Sequence, residues 1–335
     1  MRVLFITQTD ELGPASRYRV YQYLPYLTRE NIEYKVIPGG RKYYYHIFKK
    51  PFYYLDLLLR RIRDLTVLNK FDVIFIQREF IPKMYPFGEL LYSKINENLI
   101  FDFDDAIYVT SKYIYKVLQR SKIVIAGNTY LKEYAQKYNK NVVVIPTCID
   151  ISRYSLKQHS PKEEVTIGWI GTPSNLGYLK SIFPIIQELS RKFRVILKII
   201  GIPSVKSYPG VNIKSQKWLL NEEISDILSM DIGIMPLPNN KYTKGKCGVK
   251  LLQYMAAGLP AVTSQVGVGE EIITSGFNGF LANDKDSWYN SLKLLIENWR
   301  LRKDIGIMAR RTVEEKFALG KSARKFIEVI QKVAI

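Results

Sequence analysis

Residues 231–260 constrain the fold more than any other stretch, because they read as a buried strand, a loop and a helix. The first residues, DIGIMPL, are a short apolar run ending at a leucine after proline, which is typical of a buried parallel strand. The later residues, LLQYMAAG, predict a helix that ends at Gly258. Four lysines lie in or beside the intervening loop: Lys241, Lys244, Lys246 and Lys250.

This arrangement predicts a phosphate-binding loop. The N-terminus of a helix offers unpaired N–H groups and a partial positive charge, and Gly245 and Gly248 would let a ligand approach the backbone closely. The alternative is a solvated loop with incidental lysines. The position after a strand and before a helix favours the ligand site, because open parallel sheets bind ligands at their carboxyl edge.

Four motifs follow one another in the second half of the chain: GWIGTPSN (168–175), DIGIMPLP (231–238), GKCGVKLLQYMAAGLPAVTSQVGVGEEII (245–273) and GFNGFLA (276–282). Together they resemble retaining glycosyltransferases of family 4, which have the GT-B fold. The resemblance implies an α/β protein with two Rossmann-like domains facing across a cleft. It also implies that the last helix crosses back to the N-terminal domain.

The pattern of apolar runs predicts the domain limits. Strand-like and helical stretches alternate through residues 1–150, which we predict to be an acceptor-side domain. A polar stretch without periodicity, ISRYSLKQHSPKEE, is interpreted as a linker. Residues 163–319 are the predicted nucleotide-sugar-binding domain, and residues 320–335 the helix that packs on the first domain. Near the N-terminus we predict one helix over residues 16–27, with Ser16 as its N-cap.

The sequence departs from the family at charged positions. Many members have two glutamates eight positions apart, where this chain has Gly245 and Gln253. The arginine and lysine often found after the first strand of the second domain are replaced by residues 171–174, GTPS. Lys246 and Lys250 are candidates to supply the missing positive charge, and Gln253 to hydrogen-bond a ribose hydroxyl.

By this resemblance the donor diphosphate lies on the second domain, with the base near Trp218. A glycine-bearing loop after the first strand, ELGPASRYRV, is expected to reach over the sugar and acceptor. Its arginines are interpreted as phosphate ligands or, alternatively, as solvated residues of a first helical turn. The predicted donor-binding residues are Gly13, Arg17, Gly171, Thr172, Trp218, Lys246, Gly248, Lys250 and Gln253.

The run FDFDDAIY places three aspartates at the end of a predicted strand. Asp102 and Asp104 alone would suggest the metal-binding acidic pair of the other glycosyltransferase fold, GT-A. In the GT-B frame, Asp104 or Asp105 would instead orient the acceptor hydroxyl or accept its proton. Strand alternation sends Asp102 and Asp104 to one face and Asp105 to the other until the strand ends. We therefore predict Asp104, Asp105 and Lys250 as catalytic residues, and no metal site.

Net charge points to an anionic partner. The chain of 335 residues carries a formal charge of +19. Residues 41–70 hold eight Lys or Arg against two Asp, interleaved with aromatics. This segment predicts either docking to an anionic membrane surface or an ordinary amphipathic helix. No nucleic-acid-binding motif accompanies the charge. Two cysteines and a first segment unlike a signal peptide predict a cytoplasmic protein, peripheral on the inner face of the membrane if the segment docks.

The resemblance to family 4 implies a retaining, metal-independent hexosyltransferase. It would use a nucleoside-diphosphate sugar, with no other cofactor, and a glycan or lipid-linked acceptor in surface polysaccharide or glycolipid biosynthesis. The alternatives are a GT-B nucleotide-sugar epimerase and a basic nucleic-acid-binding protein. Spacing alone identifies neither the base, the sugar and the acceptor nor the oligomeric state.

Overall fold

The structure, a computed structural model, describes residues 1–40, 55, 59–81 and 83–334. The chain divides into two compact units, each built on its own sheet. The N-terminal unit comprises Met1–Thr147, Lys244–Cys247 and Leu319–Ile335. The C-terminal unit comprises Cys148–Thr243 and Gly248–Ala318.

A six-stranded parallel sheet with the order β2-β1-β3-β4-β5-β6 forms the centre of the N-terminal unit. Its strands are β1 (Arg2–Thr9), β2 (Glu33–Gly40), β3 (Val73–Gln77), β4 (Leu99–Phe103), β5 (Ile123–Ala126) and β6 (Val142–Val144). Among the described residues, the helices that precede residue 147 and have both ends described are α1 (Pro14–Arg19), α2 (Leu24–Arg29), α3 (Phe87–Ile95), α4 (Ile114–Arg120) and α5 (Thr129–Ala135). Each strand coincides with a predicted apolar run, because a parallel sheet is buried on both faces.

The single helix predicted near the N-terminus is wrong, since α1 and α2 are separated by a 3-10 turn. Pro25, in the first turn of α2, has no N–H to donate, and its ring obstructs a continuous helix. Helix α1 begins at Pro14 with Gly13 as its N-cap residue. Ser16 is therefore inside the helix, where its buried hydroxyl accepts a hydrogen bond from the Thr9 amide at 3.1 Å.

The C-terminal unit has a second six-stranded parallel sheet, with the order β12-β11-β10-β7-β8-β9. Its strands are β7 (Glu164–Ile170), β8 (Arg194–Ile200), β9 (Asn212–Gln216), β10 (Ile232–Met235), β11 (Ala261–Ser264) and β12 (Phe280–Ala282). Its helices are α6 (Leu176–Lys180), α7 (Phe183–Ser190), α8 (Glu223–Leu228), α9 (Lys241–Lys244), α10 (Val249–Ala256), α11 (Val268–Ile272), α12 (Lys285–Glu297) and α13 (Trp299–Lys316). Two parallel sheets with helices confirm the predicted α/β class and its two Rossmann-like domains.

The last helix, α14 (Leu319–Ala334), packs on the N-terminal sheet. Its buried Phe326 stacks on Tyr23, with ring centroids 4.3 Å apart and an interplanar angle of 11°. The same ring lies 5.4 Å from the ring of Phe75 in β3. Such aromatic contacts stabilise a core beyond the area they bury. The chain therefore ends in the unit in which it begins.

Most of the basic segment 41–70 lies outside the described residues, and the membrane docking predicted for it stays a prediction. Within the part of the chain that is described, each helix is either too short or too polar to cross a bilayer.

Candidate functional site

Gly171 follows β7 at the carboxyl edge of the C-terminal sheet, where a Cβ atom has no room. It would lie 2.3 Å from the Trp169 ring and 2.7 Å from Nζ of Lys250. At the end of the neighbouring β8, Gly201 has a φ of 102°, and its Cβ would lie 1.9 Å from the Gly171 carbonyl oxygen. The two amides donate to neighbouring strands, Gly171 to Ile200 and Gly201 to Gln216, each at 2.9 Å, so glycine at these positions permits close packing at the edge where parallel sheets bind ligands.

Lys250 lies in the first turn of α10, with Nζ 4.5 Å from the centroid of the Trp169 ring. The helix follows Gly248, whose φ of 68° is left-handed and favours glycine. Its N-terminal end carries a partial positive charge and amide groups that lack helical partners. The ammonium group adds a full charge, so this end of the C-terminal unit suits an anion.

Three other residues predicted for the donor lie in the C-terminal unit with their own partners. The hydroxyl groups of Thr172 and Ser174 are 2.8 Å apart. Trp218 is half-buried and donates from Nε1 to Glu223 at 2.7 Å. Gln253 is buried and donates from Nε2 to the Tyr154 hydroxyl at 3.4 Å. Their roles toward a nucleotide stay predictions.

Lys246 belongs to the N-terminal unit, although it is only four positions before Lys250. Its Nζ lies 3.7 Å from Oδ1 of Asp105, and its carbonyl oxygen accepts a hydrogen bond from Asn128 at 3.2 Å. The structure thus places the two lysines predicted for the diphosphate in different units. The ammonium group of Lys246 lies beside Asp105, a predicted catalytic carboxylate.

Arg78 joins Asp104 and Asp105 at the carboxyl edge of the N-terminal sheet. Nε of Arg78 donates to Asp104 and Nη2 donates to Asp105, each at 2.6 Å. Strand β4 ends at Phe103, so both following carboxylates turn toward the arginine instead of alternating between faces. Arg78 itself has a φ of 60°, which is uncommon for a residue with a side chain. The sequence analysis missed Arg78, for which its position directly after β3 was the available signal.

Asp105 is held in its ionised form. Burial alone would raise the pKa of its carboxyl, but the nearby charges of Lys246 and Arg78 more than offset burial and lower the pKa. An ionised carboxylate that accepts hydrogen bonds can orient a substrate hydroxyl or receive its proton. The predicted catalytic pair is therefore brought together, with Arg78 between its two members.

Two arginines of α1 are buried, which contradicts the alternative that they are solvated. Arg19 forms a buried ion pair with Asp102, with Nε 3.1 Å from each carboxylate oxygen, and donates from Nη1 to the Ile145 carbonyl at 2.6 Å. Arg17 is 7% exposed, and its guanidinium lies 5.1 Å from the centroid of the Tyr18 ring. The predicted phosphate contact of Arg17 stays untested.

The loop after β1 packs tightly on the end of β3. The Ser16 hydroxyl donates to Gln77 Oε1 at 3.0 Å and accepts from the Thr9 hydroxyl at 2.9 Å. A Cβ at Gly13 would lie 1.9 Å from Oγ1 of Thr9, so glycine is required for this close approach. The loop is therefore fixed to the sheet edge that also carries Arg78.

Among the described residues, no group of three or more His, Cys, Asp or Glu side chains is arranged to hold a metal ion. Asp102 and Asp104, which in isolation suggested a metal pair, bind Arg19 and Arg78 instead. Cys247 is buried, and burial raises the pKa of its thiol, which disfavours the reactive thiolate.

Comparison with known proteins finds similarity to glycosyltransferases over part of the chain. Residues 164–298 match the family model described as glycosyl transferases group 1. An uncharacterized glycosyltransferase from Methanocaldococcus jannaschii is 29% identical over 97 residues, which cover 28% of this chain. That match spans 25% of the archaeal protein.

Solved structures share the fold, and their alignments cover 99% of this chain. Sucrose-phosphate synthase from Thermosynechococcus elongatus superposes with a TM-score of 0.77 at 11% identity, covering 99% of both chains. Anabaena HepE in complex with UDP and glucose gives 0.71 at 16% identity, covering 99% of this chain and 100% of the other. The lipopolysaccharide outer core galactosyltransferase WaaB gives 0.69 at 14% identity, covering 99% of both chains.

These matches confirm the GT-B fold and support the prediction of a glycosyltransferase. They are consistent with the wider superfamily that contains families 1 and 4, without distinguishing between the two.

Proposed function

We propose that the chain is a glycosyltransferase that moves a hexose from a nucleoside-diphosphate sugar to a glycan or lipid-linked acceptor. Transfer proceeds with retention of configuration and without a metal ion, in the synthesis of a surface polysaccharide or glycolipid. The glycosyltransferase domain at residues 164–298 and the GT-B fold support this proposal.

The observation that carries the proposal is the position of Lys250. A departing nucleoside diphosphate needs positive charge at the site where its own negative charge develops. Lys250 adds such a charge to the N-terminal end of α10, with its Nζ close to the Cα of Gly171 at the carboxyl edge of the sheet. The helix end and the lysine together can stabilise the diphosphate without a bound cation.

The N-terminal unit serves the acceptor in this proposal. Asp104 or Asp105 orients the attacking hydroxyl, and Arg78 holds both carboxylates in place. The departing phosphate helps to deprotonate the hydroxyl on the same face of the sugar. A strong protein base is then unnecessary.

Thermal unfolding with UDP, GDP, ADP and CMP, each with and without EDTA, tests the donor site. HepE was solved with UDP, so UDP is the first candidate. A ligand at a hundredfold excess over its dissociation constant stabilises the folded state by about 2.7 kcal/mol. We expect one diphosphate to raise the melting temperature equally with and without EDTA.

A shift that EDTA abolishes would contradict metal independence, and no shift from any nucleotide would contradict the donor site. Product analysis with the donor alone then separates transferase from epimerase. An epimerase converts the sugar without acceptor, whereas a transferase requires one.

A further inference from the structure

Helix α3 and the segments beside it expose several large apolar side chains. Phe87 is 75% exposed, Met84 54%, Tyr113 44% and Leu91 43%. The ring of Tyr85 lies 4.5 Å from that of Phe87 and 5.1 Å from that of Tyr113, which joins the two segments. We call these five residues the Phe87 surface. Large exposed apolar groups of this kind mark interaction sites.

The charged side chains at the Phe87 surface have one sign. Three lysines adjoin it in the chain or by contact: Lys83, Lys112 and Lys116. Nζ of Lys116 lies 5.0 Å from the Tyr85 ring centroid and donates to the Tyr85 hydroxyl at 3.0 Å. Residues 106–122 contain no Asp or Glu, and Glu89 of α3 is buried at 3% exposure.

We propose that the Phe87 surface docks on an anionic lipid bilayer. Phenylalanine, methionine and leucine lose unfavourable contact with water by entering the acyl boundary, tyrosine suits the headgroup layer, and lysines pair with lipid phosphates. A nucleic acid would use the lysines but would leave Phe87, Met84 and Leu91 without an apolar environment. The combination of apolar and basic groups therefore favours the bilayer.

This inference rests on the proposed function. Docking through the Phe87 surface would bring the enzyme to its acceptor, because a lipid-linked acceptor lies in such a bilayer. It also differs from docking through residues 41–54, which carry their own basic and aromatic side chains. Vesicle binding needs neither donor nor acceptor. Failure of the docking proposal is therefore distinguishable from failure of the transferase proposal.

Sedimentation of the full chain with vesicles tests the proposal. We expect the protein to bind vesicles of phosphatidylcholine with phosphatidylglycerol at low salt and to bind them much less at high salt. It should not bind vesicles of pure phosphatidylcholine. Phe87→Ser should lower the partition coefficient about tenfold, because one buried aromatic contributes about that factor. The double variant Lys83→Gln, Lys112→Gln should lower it about thirtyfold.

Matched controls come from the C-terminal unit. Phe277 is 50% exposed, so Phe277→Ser removes a comparable exposed ring, and Lys180→Gln with Lys303→Gln removes two exposed lysines. These variants should bind like the wild type, with all melting temperatures unchanged within about 2 °C.

Absence of binding to the anionic vesicles, or binding that Phe87→Ser and the lysine pair leave unchanged, would overturn the proposal. Equal losses of vesicle binding in the control variants would also overturn the proposal, since binding would then not depend on the position of the substituted residues. So would binding of an oligonucleotide that competes with vesicles and is insensitive to Phe87→Ser.

Discussion

The Lys250 ammonium group lies 4.5 Å from the centroid of the Trp169 ring, and the missing side chain of Gly171 leaves room for this contact. A cation over an indole face is attracted by the ring quadrupole, so the ring favours one position of a flexible lysine. A side chain that is already ordered loses less conformational freedom when a ligand arrives. Trp169 therefore restricts the Lys250 side chain before any ligand binds.

We predict that Lys250→Ala weakens binding of the nucleoside diphosphate about 10- to 100-fold, because it removes one charge-assisted contact. Titration calorimetry measures the dissociation constant. Lys303→Ala, at an exposed position in α13, is the matched control and should change it less than about twofold. If the dissociation constant of Lys250→Ala equals that of the wild type, Lys250 does not bind the diphosphate.

We also predict that Gly171→Ala destabilises the fold by about 1–3 kcal/mol, because its methyl group would overlap the Trp169 ring. It should weaken nucleotide binding as well, since the ring and Lys250 must move together. Gly177→Ala is the control, because a Cβ there meets nothing within 4 Å. Chemical denaturation measures the free energy of unfolding of the two variants. A similar small change in this free energy for Gly171→Ala and Gly177→Ala would show that the site accommodates a methyl group.

Most strands could be predicted from sequence, because runs such as RVLFITQ and VILKIIG are too apolar for anything but a buried element. Strands β11 and β12 were missed. Half of the β11 residues, AVTS, are polar, and β12, FLA, is a three-residue run between Gly279 and Asn283, so neither stands out as an apolar run. The order of strands in each sheet depends on long-range pairing, which local sequence does not encode.

The motifs predicted backbone positions better than side-chain partners. Gly171, Gly248 and Lys250 lie together at one sheet edge, as the motifs indicated. Arg78 was missed, because its ion pairs with Asp104 and Asp105, which follow β4, depend on tertiary packing that the sequence pattern does not show. Lys246 was grouped with Lys250 by spacing, although tertiary packing places it beside Asp105.

Acid sensitivity should depend on the pair Arg78 and Asp105. A carboxyl whose pKa is lowered by folding stabilises the protein above its usual pKa of 3.8, and this contribution is lost as pH falls through the folded value. Arg78→Gln removes one of the charges that lower it, so the acid loss of stability should begin at higher pH. The free energy of unfolding between about pH 3 and 6 measures this shift.

The control for Arg78→Gln is Arg194→Gln, because Arg194 pairs with Glu163 at an exposed position, with exposures of 75% and 82%. Exposed ion pairs contribute little to the free energy of unfolding, so the pH profile of stability for Arg194→Gln should follow that of the wild type. Identical acid profiles for Arg78→Gln and Arg194→Gln would show that Arg78 does not hold Asp105 ionised.

Glu89 should make the protein less stable as pH rises toward neutrality. Burial raises its pKa to about 7 from a usual value of 4.5, while the hydrogen bond from the Phe80 amide and the charge of Arg61 oppose the rise and Glu79 adds to it. The unfolded chain releases this proton near pH 4.5 and the folded chain only near pH 7, so stability falls between these values.

We predict that Glu89→Gln keeps the acceptor for the Phe80 amide, matches the wild type near pH 4.5, and exceeds its stability at pH 8 by up to about 3 kcal/mol. Urea unfolding at both pH values measures the difference, with Glu270→Gln at an exposed position as control. A wild-type stability that is flat from pH 5 to 8 would show that Glu89 ionises in the folded protein at its usual pKa.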